Sequence, residues 1–361
     1  MFILMLIAAL VTAGFCLALI PVARSIGLVD HPGVRKVHRE PTPLTGGPAL
    51  LFTACLMTLF LYPGDLFVQG LAAGGLLMFV VGMVDDYRPL PALVRFLVQA
   101  AACMAMIVYT DVRLDDFGRL LWNEVWVLGW LSIPVTVFAA MGVINSFNMI
   151  DGMDGVSGSI FLVAAAGMAL LAGLALQYQI QLLLLVAFSS VLGYWLLNAR
   201  FPWNKKARIF MGDSGSQFLG FFLAWCLIAL GNDHNETGQR AFMPMTAVWL
   251  FAIPLLDTTT VMWRRWRAGE SALAADQHHF HHAFLRAGFT VRQTWLIISG
   301  LALMLAAVGL SFELAAAPDY YSFWSFMVVA FAFQFYIKRS WYLQQFLGRD
   351  FIYNDFDEPA S

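Results

Sequence analysis

Apolar side chains in this chain do not alternate with polar ones. They run in nearly unbroken stretches at 2–22, 44–62, 68–85, 92–110, 126–146, 157–176, 178–198, 215–231, 242–262, 293–312 and 320–338. An α-helix of about 20 apolar residues spans the hydrocarbon core of a bilayer, and inside lipid only helices or closed barrels satisfy their own backbone groups. The pattern predicts an all-α polytopic integral membrane protein with about eleven transmembrane helices. The thinnest boundary is the one between the sixth and seventh runs, where Gln177, Gln179 and Gln181 are the only interruption. Merging those two runs leaves ten. The first run has no basic segment ahead of it, and its first positive charge, Arg24, follows the apolar stretch. It therefore reads as an uncleaved span rather than a signal peptide.

Composition agrees with the pattern and narrows the function. Charged residues make up 12% of the 361-residue chain and apolar ones 60%, against roughly 25% charged in soluble proteins. A water-soluble domain is excluded, and a net charge of −2 gives no field for nucleic acid. The four cysteines lie singly in apolar runs, without the spacing of a disulfide framework or a zinc site. No soluble domain fits between the runs, so 1–338 reads as a single multi-span transmembrane domain followed by a short cytoplasmic tail, 339–361. All of the 21 Lys and Arg residues except Arg95, Arg113, Arg119 and Arg240 fall in alternate connecting segments or the tail. The positive-inside rule then places those segments and the C-terminus in the cytoplasm, with the N-terminus outside.

The purposeful polar residues sit in the same segments. Asp85 and Asp86 close the third run; a helix dipole opposes acids at a C-terminus, and a cation is the natural offset. In Asn145 to Gly155, the residues Asn148, Asp151 and Asp154 recur every three positions. On one helical turn that spacing lines up oxygen donors suited to a hard divalent ion. The stretch Phe210-Met-Gly-Asp213-Ser-Gly-Ser leads into the eighth run, where a helix N-terminus favours an anion or a metal–phosphate pair; simple N-capping by Asp213 or Ser214 is the plainer alternative. His278, His279, His281 and His282, with Arg286 one turn on, suit several phosphates better than zinc, for which no cysteine completes a set. Arg35, Lys36 and His38 form a juxtamembrane basic cluster before Thr45-Gly46-Gly47, which suits either phosphate or anionic lipid. Together these elements describe one cytoplasmic surface with carboxylates for a metal and cations for phosphates.

Asp85-Asp86, Asn145 to Gly155, the 210–216 stretch and His279-Phe-His281-His282 with Arg286-Ala-Gly288 resemble the polyprenyl-phosphate N-acetylhexosamine-1-phosphate transferases. The resemblance implies that a lipid phosphate attacks the β-phosphorus of a UDP-sugar, giving lipid diphosphate-sugar and UMP. It assigns Asp213 and Asn148 to the metal, Mg2+ or Mn2+, and Asp85, Asp86 and Asp151 to catalysis. Asp154 and Phe210 would hold uracil, Arg95 a phosphate, and His279, His281, His282 and Arg286 the diphosphate and sugar. The implied partners are a UDP-N-acetylhexosamine, most simply UDP-GlcNAc, undecaprenyl phosphate and the lipid bilayer, with a homodimer left open. Phe280 breaks the run of three histidines found in the muramoyl-pentapeptide branch, which favours an N-acetylhexosamine donor; the N-acetylfucosamine and N-acetylquinovosamine donors share the motifs. A secondary transporter is the rival class, and it would place ionisable residues at mid-span. Asp257, in the ninth run, comes nearest to that and reads as a buried structural acid.

Overall fold

The computed structural model describes residues 1–32, 40–122, 124–232, 239–269 and 279–346. Its helices are α1 (Phe2–Ser25), α2 (Gly46–Leu61), α3 (Leu66–Tyr87), α4 (Ala92–Thr110), α5 (Ser132–Ile150), α6 (Val156–Leu174), α7 (Tyr178–Asn198), α8 (Gly212–Leu230), α9 (Pro244–Leu250), α10 (Ala252–Ala268), α11 (Phe280–Arg286), α12 (Val291–Leu314) and α13 (Asp319–Phe346). A two-stranded antiparallel ribbon, β1 (Val29–Asp30) with β2 (Thr42–Pro43), is the only sheet among the described residues.

Each predicted apolar run is helical, but not each is a full span. Among the described residues nine helices are long and apolar enough to cross a membrane, or ten if α9 and α10, bent by 84° at Phe251, make one broken span. The second run, α2, has only 16 residues, about 24 Å at 1.5 Å per residue, which is short of the hydrocarbon thickness. The sixth and seventh runs are separate helices. Leu176 takes a left-handed φ of 60° between them, and the Gln177 amide donates to the Gln239 carbonyl at 2.8 Å. α13 continues through Phe346, so the first part of the expected tail is helical.

α8 is the centre of the bundle: every residue from Ser214 to Leu230 is buried, as befits a helix that is apolar all round. Lipid tails are as apolar as leucine, so helices in a bilayer associate through close packing of small residues rather than through hydrophobic burial. α3 supplies that surface to α8. Phe221 lies over Gly74, Phe218 over Gly75, and a Cβ at Gly82 would sit 2.4 Å from the Asp213 carbonyl oxygen. Asn145 of α5 donates to Gln99 of α4 at 2.7 Å, and Gln99 reaches Gln217 of α8 at 3.5 Å. These neutral amides lie one helical turn deeper than Asn148, Arg95 and Asp213, and pin three helices in register.

The connecting segments gather at two opposite ends. At one, Arg240 forms a two-pronged pair with Asp116, and Asp319 accepts the Arg119 amide at 2.9 Å. At the other lie the C-termini of α1, α3, α5 and α7 and the N-termini of α2, α4, α6 and α8, as successive antiparallel helices require. Among the described residues, Arg113, Arg119 and Arg240 lie at the first end and Arg24, Arg88, Arg200 and Arg208 at the second.

Candidate active site

The second end carries a cavity of about 420 Å³, lined among others by Asp30, Asp85, Asp86, Asn148, Asp151, Asp154, Asn198, Phe210 and Asp213. Residues up to 184 positions apart in sequence, Val29 and Asp213, meet there because helix ends meet there. Phe210 joins the ribbon: its N–H donates to Pro43 and its carbonyl accepts from Gly46, which seats the start of α2 on the entry to α8.

α8 begins at Gly212, whose φ of 75° is open to glycine without strain. Neither Asp213 nor Ser214 caps this helix, contrary to the plainer expectation. Asp86 does so from α3: its Oδ1 accepts the Asp213 amide at 2.8 Å and its Oδ2 the Ser214 amide at 3.1 Å. A Cβ on Gly212 would lie 2.7 Å from that carboxylate. Asp85 is likewise answered, by the Arg95 guanidinium at 2.5 Å and the Leu90 amide at 2.6 Å. The positive end of α8 thus answers one of these acids and the Arg95 guanidinium the other.

Asp213 faces inward from the first turn of α8, and its Oδ1 accepts from the Asn148 amide at 2.7 Å; the same amide reaches the Ser216 hydroxyl at 2.8 Å. Asn148, Asp151 and Asp154 do not share one helical face as their spacing suggested. α5 stops at Ile150, and Gly155 turns the chain with a φ of 81°. The three side chains line one cavity but take separate partners. Asp151 accepts from the Ser157 hydroxyl. Asp154 is buried, with Arg200 Nε at 2.8 Å and the Ala207 amide at 3.2 Å on the same oxygen. Asn198 ties this loop down, accepting from the Gly155 amide at 2.8 Å and donating to the Ile209 carbonyl at 3.0 Å.

Burial pushes the Asp151 carboxyl up to about 8, with Asp213, Asp86 and Asp154 adding repulsion against the lowering by Ser157. A raised folded-state value means that the contribution to stability is full below the ordinary carboxylate range and is lost as pH rises through that value. The thermal midpoint of the metal-free protein should fall between about pH 5 and pH 9, and Asp151→Asn should remove part of that fall. An identical pH profile for the variant would contradict it.

The histidine segment packs against the same loop. His279 precedes α11, and His281 and His282 lie buried within its first turn. The His279 and His281 rings are stacked at 5.8 Å with an interplanar angle of 2°. A Cβ on Gly152 would come within 3.2 Å of His281 Nε2, so the segment closes onto the 151–154 turn. Burial, with His282 and His279 nearby, holds His281 well below the usual imidazole range and so neutral. Arg286 ends α11 and is partly buried. Arg35, Lys36, His38 and His278 lie outside the described residues.

Sequence reasoning did not find Asn198 and Ser157, and counted Arg200 only as a loop charge. The available signal was the Asn198-Ala-Arg200 triplet closing an apolar run. Among the described residues, the acids of this cavity sit at helix ends and the contacts one turn deeper are neutral amides, which is not the pattern of an ion-coupled transporter.

The donor set fits a hard divalent cation. Asp213 and Asn148 offer oxygen alone, and further carboxyl oxygens of Asp85, Asp86 and Asp151 line the same cavity. Among the described residues no three His, Cys, Asp or Glu side chains enclose an ion by themselves. Magnesium, which keeps waters and takes phosphate oxygens with one or two carboxylates, suits such an open set better than zinc.

Residues 68–231 match the model of glycosyl transferase family 4. The chain is similar to the undecaprenyl-phosphate alpha-N-acetylglucosaminyl 1-phosphate transferase of Escherichia coli K12, with 32% identity over 333 residues, covering 91% of this chain and 88% of that one. It is 35% identical over 334 residues to the Yersinia pestis protein of the same name, covering 91% and 89%. For the Haemophilus influenzae counterpart the figures are 32% over 338 residues, covering 91% and 92%.

Proposed function

Since the chain belongs to glycosyl transferase family 4, alongside the undecaprenyl-phosphate N-acetylglucosaminyl 1-phosphate transferases, we propose that it transfers GlcNAc-1-phosphate from UDP-GlcNAc to undecaprenyl phosphate and releases UMP. This is the initiating transfer of a lipid-linked cell-surface glycan. One observation carries the reading most strongly: four motifs far apart in sequence line or adjoin a single polar cavity at one end of a helix bundle.

A phosphate monoester anion is already a nucleophile, so the work is to hold two anions in line and to offset charge on the transferred phosphoryl group. Mg2+ held by Asp213 and Asn148 would supply that offset on the donor diphosphate. Asp151 would take up the acceptor proton, and Arg95, close to Asp85 at the cavity wall, would draw in a lipid phosphate. Phe210 offers a ring for the uracil, with Asp154 beside it held still by Arg200. His279, His281 and His282 would donate to diphosphate and sugar oxygens. The basic segments at this end suit the cytoplasmic face of the inner membrane, where a nucleotide sugar is available.

Purified protein should release UMP from UDP-GlcNAc only when polyprenyl phosphate and Mg2+ or Mn2+ are both present. Full activity in excess EDTA would sink the metal assignment. UMP release from another UDP-N-acetylhexosamine but not from UDP-GlcNAc would reassign the donor.

A further inference from the structure

Asp257 lies in α10 and is only 3% exposed. Its carboxylate is taken up by the start of the histidine segment. Oδ1 accepts the Phe280 amide, the first N–H of α11, at 2.8 Å, and Oδ2 lies 3.0 Å from His279 Nδ1. His279 itself provides no side-chain cap for α11. The bundle thus uses one device twice: Asp86 caps α8 from α3, and Asp257 caps α11 from α10. The second instance reaches further, because the cap also grips a site side chain. An ionised carboxylate only accepts hydrogen bonds, so Nδ1 must carry the proton, and Nε2 is the ring atom left for a ligand. The stack of His279 on His281, and of His281 on Gly152, carries this placement to the wall of the cavity.

We propose that Asp257 is a positioning residue for the transfer: it fixes the tautomer and orientation of His279 so that Nε2 addresses a phosphate or sugar oxygen of the donor. The proposal rests on the reading of this end as the transferase site. A purely structural buried acid would account for the Phe280 contact but not for the second one, to a ring that has no other charged hydrogen-bond partner among the described residues.

Asp257→Asn tests it in the full-length protein in detergent. The amide oxygen still accepts from Phe280, while the amide nitrogen turns a donor toward Nδ1 and favours the opposite tautomer. UMP release should fall about 10- to 100-fold in kcat, with KM for UDP-GlcNAc within about threefold, and Asp257→Glu should recover part of the loss. In a His279→Asn background the same Asp257→Asn change should cost nothing further, because its route to the site is gone. An equal loss in both backgrounds, or wild-type turnover in Asp257→Asn, would overturn the proposal. Selective 15N-histidine labelling, with His279→Asn to assign the signal, reads the tautomer without any assay. The Nδ1–H form in the unaltered protein and its loss in Asp257→Asn support the proposal; an Nε2–H form in the unaltered protein refutes it. Absence of UMP release from the unaltered protein, with the Nδ1–H form present, would remove the proposed function and leave the hold of Asp257 on His279 standing.

Discussion

Asp213→Asn is expected to lower UMP release by at least about a thousandfold, the scale seen when a preorganised electrostatic contact to a transferring group is lost. The substitution is close to isosteric. Asp86 bonds the backbone amides of residues 213 and 214, not the side chain, so the cap on α8 survives. The hydrogen bond from Asn148 also has an acceptor left in the new amide. What disappears is the negative charge of the side chain proposed to hold the metal, in the first turn of a buried helix. The thermal midpoint should hold or rise, because one member of a crowded carboxylate group has been made neutral. Turnover above about a tenth of wild type in a properly folded variant would show that the metal is held elsewhere.

The second large effect is on stability. Arg200 and Asp154 form a buried pair with side-chain exposures of 9% and 7%, and Nε lies 2.8 Å from Oδ2. Arg200→Met should destabilise the protein by about 3–5 kcal/mol, because it leaves a buried carboxylate without its paired charge. Among the described residues the Ala207 amide would remain on that oxygen. Asp154→Asn in the same chain should recover much of the loss, since an amide is far cheaper to bury than an unpaired charge. Thermal unfolding in detergent would measure both, and additive losses in the double variant would mean that the two residues do not act as a pair. Because Asp154 also lines the cavity, Arg200→Met should raise KM for the nucleotide sugar.

Much of this protein was legible without coordinates. Runs of about 20 apolar residues admit only one backbone solution in lipid, so the helices and most of their boundaries could be read directly. The break between α6 and α7 was carried by three glutamines, and it is real because a buried amide at Gln177 finds a carbonyl across the loop. Span length was harder. α2 and the bent pair α9–α10 read as ordinary runs, because apolar composition does not record a helix ending early or turning by 84°.

The site residues were legible as a set and not as an arrangement. Polar side chains are so scarce here that each stands out, which is why Asp85, Asp86, Asn148, Asp151, Asp154, Asp213 and the histidines could be picked out by position. Periodicity then misled, since Asn148, Asp151 and Asp154 lie on a helix end and a turn rather than on one helical face. The roles of Asp86 and Asp257 were hidden for another reason. Each caps a helix that begins 126 and 23 residues away, at Gly212 and Phe280, and no local spacing encodes a partner at that distance.

The sequence by itself determined that this chain is a helical membrane protein with its chemistry at one end, because hydrophobic run length and charge placement act locally, on each segment against the bilayer. Only the tertiary structure decided which acid answers which cation, which carboxylate caps which helix and which side chains are left facing the cavity. Those outcomes depend on distances between helix ends, which are held by close packing through Gly82 on α3 and by the Asn145–Gln99–Gln217 amides.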